Sequence, residues 1–106
     1  MATLYITEYI DIAKGVGTWS QAQAPQATGL QPSLDQAPVA ITASSSQSAA
    51  FQQSTILVRI HCDAICSVVI GLPNPTATTA NARLAANQTE YFGVRGGDKL
   101  AVIVNV

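Results

Sequence analysis

Short apolar segments with a two-residue period, broken by frequent turn residues, are the feature that most constrains the fold of this chain. Within residues 54–61, Ile56, Val58 and Ile60 occupy every second position. This alternation places the three side chains on one face of a β-strand. Gly, Pro, Asn and Ser interrupt such segments every few residues, which is typical of the turns of all-β proteins. The sequence therefore predicts an all-β fold: a compact β-sandwich or a jelly-roll-like barrel of short antiparallel strands.

Seven segments are predicted as strands, and two turns are predicted to join neighbouring strands as hairpins. The turn Asp63-Ala64 would pair the strand before it with the one after it, and Gly96-Gly97 supplies the positive φ angles of a two-residue hairpin loop. A further segment, 82–86, is ambiguous between an edge strand and a short turn of helix. The predicted strands are residues 3–9, 38–43, 47–51, 54–61, 65–70, 89–94 and 99–106.

Residues 13–38 interrupt this pattern within what the length of 106 residues predicts to be a single domain. The segment is rich in Gln, Ala and Pro and has neither a helix period nor a strand period. A connection this long without structure is unusual in a compact domain. Two interpretations remain open: an irregular arm that wraps over a neighbouring subunit, or a partly mobile loop. Trp19 would anchor such an arm, because a large aromatic side chain in a polar tract usually docks.

The composition predicts assembly with other protein. Charged residues make up 10 % of the chain and the formal net charge is −1, whereas an ordinary soluble domain is about 25 % charged. A small domain with so little charge is expected to have part of its surface covered, in a homo-oligomer or on a larger scaffold. Five Lys and Arg residues cannot form a strong basic patch, and no segment is suited to a membrane. We therefore expect neither nucleic acid nor membrane as a partner.

No pattern in the sequence predicts catalysis, a metal site or a cofactor site. His61, Cys62, Asp63 and Cys66 form the one cluster of metal-ligating types, but a structural zinc site needs a second ligand pair from another segment. Adjacent strand residues point to opposite faces, so His61 and Cys62 would not converge. The carboxylates are scattered and are expected to be solvated, and no phosphate-binding loop or nucleophile elbow occurs. Without a secretion signal at the N-terminus, both cysteines are expected to be reduced thiols.

The aromatic side chains are the candidate interface residues. Aromatic residues on strands usually serve as core anchors or as interface hot spots. A weaker alternative is a sugar-binding face, because several of the tyrosines have polar neighbours. The candidates are Tyr5, Tyr9, Trp19, Phe51 and Tyr91.

The segment 85–94 (AANQTEYFGV) and the segment 97–103 (GDKLAVI) resemble the C-terminal end of small virion structural proteins of tailed bacteriophages. The opening at 4–9, the turn at 63–66 and the loop at 74–78 are also similar to theirs, so the resemblance covers most of the chain outside 13–38. It implies a β-rich capsid protein without catalytic residues. Such a protein is made in the host cytoplasm and decorates the capsid surface of the virion. The implied role is a decoration or cement subunit, often trimeric, that bridges major capsid proteins. The alternative is a carbohydrate- or receptor-binding module on a virion surface.

Overall fold

The computed structural model describes residues 2–15, 24–29 and 32–105, with side chains for 2–11 and 32–105. All regular secondary structure in these residues is β-strand. The strands are β1 (Thr3–Tyr9), β2 (Ile12–Gly15), β3 (Ala24–Gly29), β4 (Leu34–Asp35), β5 (Val39–Ala40), β6 (Ser46–Gln47), β7 (Leu57–Cys62), β8 (Cys66–Gly71), β9 (Ala82–Leu84), β10 (Thr89–Gly93) and β11 (Lys99–Val104).

Two antiparallel sheets form the body of the molecule. The first has the order β10-β7-β1-β4, and β5 pairs with the same edge of β1 as β4 does. The second has the order β6-β11-β8-β9. The predicted fold class is confirmed: the chain is an all-β protein of two antiparallel sheets, as in a small β-sandwich.

The core lies between the two sheets and is built from alternating strand residues. In β7, the even-numbered side chains are buried and the odd-numbered ones are partly exposed, as the two-residue period predicts. Burying one large aliphatic or aromatic side chain contributes roughly 1.5–3 kcal/mol, so a small set of side chains dominates the stability. The largest fully buried apolar side chains are Leu4, Ile6, Phe51, Val58, Ile60, Leu100 and Val102.

Both predicted hairpins are wrong, because each turn carries the chain from one sheet to the other. β7 pairs with β1 and β10, whereas β8 pairs with β11 and β9. The turn Gly96-Gly97 likewise connects β10 of the first sheet to β11 of the second. Turn residues reverse the chain direction in both arrangements, so local turn chemistry does not distinguish a hairpin from a crossing between sheets. The core decides, because the buried and partly buried residues of the strands on both sides of each turn contribute to one hydrophobic cluster between the sheets.

The segment predicted as irregular contains paired strands. β2 and β3 form a two-stranded antiparallel sheet in which Ile12 lies opposite Gly29 and Gly15 lies opposite Ala24. This pairing continues that of β1 with β4, where Glu8 lies opposite Leu34. Backbone hydrogen bonds between two adjacent antiparallel segments do not require alternating apolar residues, which explains why the sequence pattern did not reveal them. The ambiguous segment 82–86 contains a strand, β9.

Candidate binding face

Strand β1 has two chemically different faces. Leu4 and Ile6 point into the core and are at most 1 % exposed. Tyr5, Thr7 and Tyr9 stand on the opposite face, which is the outer face of the first sheet. Two tyrosines and a threonine thus line one side of a strand whose other side anchors the core.

The strand register brings side chains from four segments together on this outer face. Tyr5 lies opposite His61 of β7, and His61 lies opposite Thr89 of β10. The next row crosses all four strands. It consists of Asp35 on β4, Thr7 on β1, Arg59 on β7 and Tyr91 on β10. We call this surface the tyrosine face. It comprises Tyr5, Thr7, Tyr9, Asp35, Arg59, His61 and Tyr91.

Two side-chain hydrogen bonds hold polar groups of the tyrosine face in place. The Thr7 hydroxyl donates to Asp35 Oδ1 over 3.0 Å. His61 Nδ1 and Thr89 Oγ1 are 2.8 Å apart and share a hydrogen bond. These bonds orient a carboxylate and an imidazole on a rigid sheet, which lowers the entropy that a partner would have to remove on binding.

The tyrosines differ in how much of each ring is accessible. Tyr5 is 47 % exposed and Tyr91 is 41 % exposed, whereas Tyr9 is only 6 % exposed. Burial raises the pKa of the Tyr9 phenol, the nearby Tyr91 and Asp35 raise it further, and Arg59 acts in the opposite direction. Tyr5 and Tyr91 therefore offer ring surface to a partner, while Tyr9 is a neutral, largely covered phenol.

A shallow groove of about 480 Å³ runs beside Tyr5 on the tyrosine face. Its walls combine an aromatic ring with a carboxylate, a guanidinium group and an imidazole. The polar and aromatic residues that line it are Tyr5, Thr7, Asp35, Gln36, Arg59 and His61. The groove can accept hydrogen-bonding groups beside an aromatic surface, a combination that both protein interfaces and sugar sites use.

The candidate interface residues divide into three groups. Tyr5, Tyr9 and Tyr91 come together on the tyrosine face. Phe51 does not lie on this face: its side chain is 2 % exposed and packs in the core. It enters the core from the loop that precedes β7, where burial of the whole ring outweighs any surface role. Trp19 lies outside the described residues.

Asp35 and Arg59 are functional candidates that the sequence reasoning missed, and His61 was considered there only as a metal ligand. The outward direction of Arg59 and His61 could be predicted from the sequence, since both alternate with the buried residues of β7. Their proximity to the tyrosines could not be predicted, because it depends on the register between β1, β7 and β10. Asp35 lies in a segment predicted as irregular, so no face could be assigned to it.

Glu8 is an exception to the expectation that the carboxylates are solvated. Its side chain is 3 % exposed. Its carboxylate accepts hydrogen bonds from the Thr55 hydroxyl at 2.6 Å, the Gln52 amide at 2.9 Å and the Gln36 side-chain amide at 2.8 Å. These three donors take the place of solvent around the charge. Glu8 thereby fixes the loop before β7 and the segment after β4 against β1, the strand that carries the tyrosines.

The two cysteines are free thiols in the core. Cys62 and Cys66 are both fully buried, and Cys62 Sγ donates to the Ala85 carbonyl over 3.0 Å. Burial, with a further contribution from Cys62, raises the pKa of the Cys66 thiol to about 12. A thiol with so high a pKa is a poor nucleophile and a poor metal ligand. Among the residues that the structure describes, no three His, Cys, Asp or Glu side chains converge as a metal ion would require.

Comparisons with known proteins leave the chain without a match: no family model matches it, nor does any curated protein sequence or solved structure. Within the described ranges, no helix has the length and apolar character needed to cross a membrane.

Proposed function

We propose that this chain is a non-enzymatic virion structural protein of a tailed bacteriophage, bound to the exterior of the capsid. In this role it bridges neighbouring copies of the major capsid protein and stabilises the head as a decoration or cement subunit. The tyrosine face is the proposed docking surface. The phage assignment rests on the sequence resemblance, and the choice of docking surface rests on the geometry of the face.

The observation that supports this docking surface is that Tyr5, Tyr91 and Arg59 lie on one face of the first sheet. Tyr and Arg are enriched in protein interfaces and among the residues that contribute most to binding. Both tyrosine rings are nearly half exposed, and both are mounted on strands, so they lose little conformational freedom on binding. The low charge of the chain, 10 % of residues, also suits a surface that protein covers.

Bridging several shell subunits does not require a strong contact at each one. A homo-oligomer presents several copies of the tyrosine face, and each additional contact forms within an already bound complex. Modest individual affinities then combine into firm attachment. The resemblance implies a trimer, and self-association is part of the proposal.

The test is binding to purified capsids of the phage that encodes the chain, after resident decoration protein has been removed. Tyr5→Ala and Tyr91→Ala should each raise Kd by roughly 30-fold, because a hot-spot residue contributes about 2 kcal/mol. Leu72→Ala is the matched control, since Leu72 is a 63 % exposed apolar residue outside the tyrosine face. Its Kd should stay within about threefold of the wild-type value. Failure of the wild-type protein to bind would overturn the capsid role. Equal effects of all three substitutions would overturn the choice of face.

Carbohydrate or receptor binding on a virion surface is the second candidate, and the groove beside Tyr5 favours it. A sugar ring stacks on an exposed aromatic side chain while its hydroxyls bond to neighbouring polar groups. Asp35 and Arg59 supply an acceptor and a donor there. Glycan-array binding that disappears in both Tyr5→Ala and Asp35→Asn would favour this function. If capsid docking is the function, Asp35→Asn should raise the capsid Kd less than Tyr5→Ala or Tyr91→Ala does, because aromatic residues contribute most to protein interfaces.

A further inference from the structure

Strand β10 has a free hydrogen-bonding edge. It forms one end of the first sheet and, in the described part of the chain, pairs only with β7. The Val94 amide donates to the Ile56 carbonyl over 3.0 Å, and the Cys62 amide donates to the Gln88 carbonyl over 3.2 Å. Bonded residues alternate along an antiparallel strand. The even-numbered residues of β10 therefore bond to β7, and the backbone N–H and C=O groups of Thr89, Tyr91 and Gly93 point outward from the sheet.

This edge lacks the features that usually protect a sheet edge from pairing. Natural edges are kept short, or carry Pro or Lys, or are covered. β4, β5, β6 and β9 are two or three residues long, and β2 and β3 contain Lys14 and Pro25. β10 runs for five residues, TEYFG, without Pro, Lys or Arg. Among the described strands, β10 is the longest sheet edge that contains no Pro, Lys or Arg.

A cleft with both apolar and polar walls opens beside the same edge, between the two sheets. Its polar lining comes from Asn81, Arg95 and Asp98. Its volume is about 540 Å³. Phe92 and Val94 of the first sheet and Ile70 of the second line it, and all three are only partly buried. A strand added next to β10 would cover this opening and remove apolar surface from water.

We propose that the occupant of this edge is β10 of a second copy, in an antiparallel pair with a two-fold axis at Tyr91. In that register Thr89 lies opposite Gly93 of the other copy, and the two Tyr91 residues lie opposite each other. The outward backbone groups of all three residues then find partners. The proposal goes beyond the capsid role and does not depend on it.

Three features of the chain favour a second copy as the occupant. Gly93 has no side chain, so it leaves space beside Thr89 of the other copy. No like charges lie directly opposite each other, because Glu90 lies opposite Phe92 and Arg95 lies opposite Asn87. The two Glu90 residues are diagonal neighbours. A net charge of −1 per chain also causes little repulsion between copies.

Pairing of this kind extends the candidate binding face. The first sheets of two copies become one continuous sheet, and the two Tyr91 rings become cross-strand neighbours. The tyrosine faces of both copies then lie on the same side of that sheet. An isologous edge pairing of this kind closes at two copies, so it predicts a dimer where the resemblance implies a trimer.

Proline at Gly93 tests the pairing without breaking the sheet. The Gly93 amide points outward, so Gly93→Pro removes no bond to β7, whereas it removes one intermolecular bond at each of two symmetric positions. Gly93→Ala is the matched control, because its added Cβ meets nothing closer than the Ile56 carbonyl at 3.9 Å and the variant keeps the N–H. Thr89→Pro, with Thr89→Val as its control, is the second pair should Gly93→Pro fail to fold.

The measurement is sedimentation velocity over a concentration series, with hydrogen exchange of the β10 amides. We expect the wild type and Gly93→Ala at twice the chain mass of 11.0 kDa. Gly93→Pro should raise the dimer dissociation constant by at least about 30-fold, from two lost hydrogen bonds and the bulk of the ring. The Tyr91 and Gly93 amides should exchange more slowly as the wild-type concentration rises. A monomer at all concentrations, a closed trimer, or a dimer unaffected by Gly93→Pro would each overturn the proposal.

Discussion

Cys62 and Cys66 lie four positions apart in the chain but in opposite sheets, and both point into the same core. Cys62 ends β7 of the first sheet and Cys66 begins β8 of the second. Burial, then the neighbouring Cys62, holds the pKa of the Cys66 thiol at about 12. The short connection between them is thus a crossing between sheets, and its two ends are fixed in the least accessible part of the molecule.

Thiol reactivity should report this burial directly. In the native protein at about pH 8, we expect both cysteines to react with a thiol-specific disulfide reagent at least about 100-fold more slowly than in urea, because the attacking species is an exposed thiolate. Absorbance of the released thiolate measures the rate. Both thiols should become reactive on unfolding, which serves as the internal control. Rapid reaction of two equivalents in the native state would contradict the buried arrangement.

Stability should fall at alkaline pH. An unfolded cysteine loses its proton near the ordinary pKa of 9.0, whereas native Cys66 keeps its proton until about pH 12. Between these values the unfolded chain binds fewer protons than the native one, so the free energy of unfolding decreases as pH rises. The contribution of Cys66 to the free energy of unfolding is fully present below about pH 9. Above that pH it decreases by up to roughly 1 kcal/mol per pH unit.

Urea unfolding of the wild type and of Cys66→Val at about pH 8 and about pH 10.5 measures this dependence. The valine variant should lose less stability over that range, because its core group does not ionise. Some dependence should remain in it, since burial also raises the pKa of Tyr9 above its ordinary 10.0. If the free energy of unfolding decreases equally with pH in the two proteins, Cys66 does not contribute to the pH dependence.

The buried carboxylate of Glu8 should be coupled to Thr55. Glu8→Gln turns an amide NH₂ toward groups that donate, and Thr55→Val removes the donor that lies 2.6 Å from Oε1. Each should lower the free energy of unfolding by about 1–3 kcal/mol. The double variant should lose less than the sum, by about 1 kcal/mol, because the two groups share one network.

Denaturant titration of the four proteins completes this double-mutant cycle. Thr7→Val is the control on the same strand, since its hydroxyl bonds to the exposed Asp35 and should contribute no more than about 0.5 kcal/mol. Strict additivity of the Glu8 and Thr55 effects would mean that the hydrogen bond contributes nothing of its own.

Gly96 and Gly97 should tolerate substitution poorly for different reasons. Gly97 has a φ of +89°, in the left-handed region that favours glycine. Gly96 has no such angle, but a Cβ there would lie 2.4 Å from the Gln53 carbonyl oxygen and 2.5 Å from the Gln53 Cα. Gly96→Ala must therefore displace backbone, and we expect a loss of about 2 kcal/mol or more. The new Cβ of Gly93→Ala would meet nothing closer than the Ile56 carbonyl at 3.9 Å, so this variant should change stability by less than about 1 kcal/mol in thermal unfolding.

The tyrosine face could be predicted only in part from the sequence. Tyr5, Tyr9 and Tyr91 were candidates as aromatic residues on strands, and their outward direction follows from alternation. Arg59 and His61 shared that parity, but nothing in the sequence placed β1 beside β7. Asp35 became part of the face only because β4 pairs with β1. Which residues share a binding face made from four strands depends on the strand register, and the register is set by contacts between residues that are far apart in the sequence.

The sequence by itself determined the class of fold and the inward or outward direction of most strand side chains, because a two-residue period relates each side chain to its neighbours along the strand. It also determined the positions of the main turns, since Gly and Asn at 87, 96 and 97 favour turn conformations locally. Only the tertiary structure decided which strands share a sheet. The Asp63-Ala64 and Gly96-Gly97 turns are compatible with hairpins, but the strands on the two sides of each turn lie in opposite sheets and contribute apolar residues to one core. The same packing buried Phe51 and Glu8, whose environments depend on residues far away in the chain.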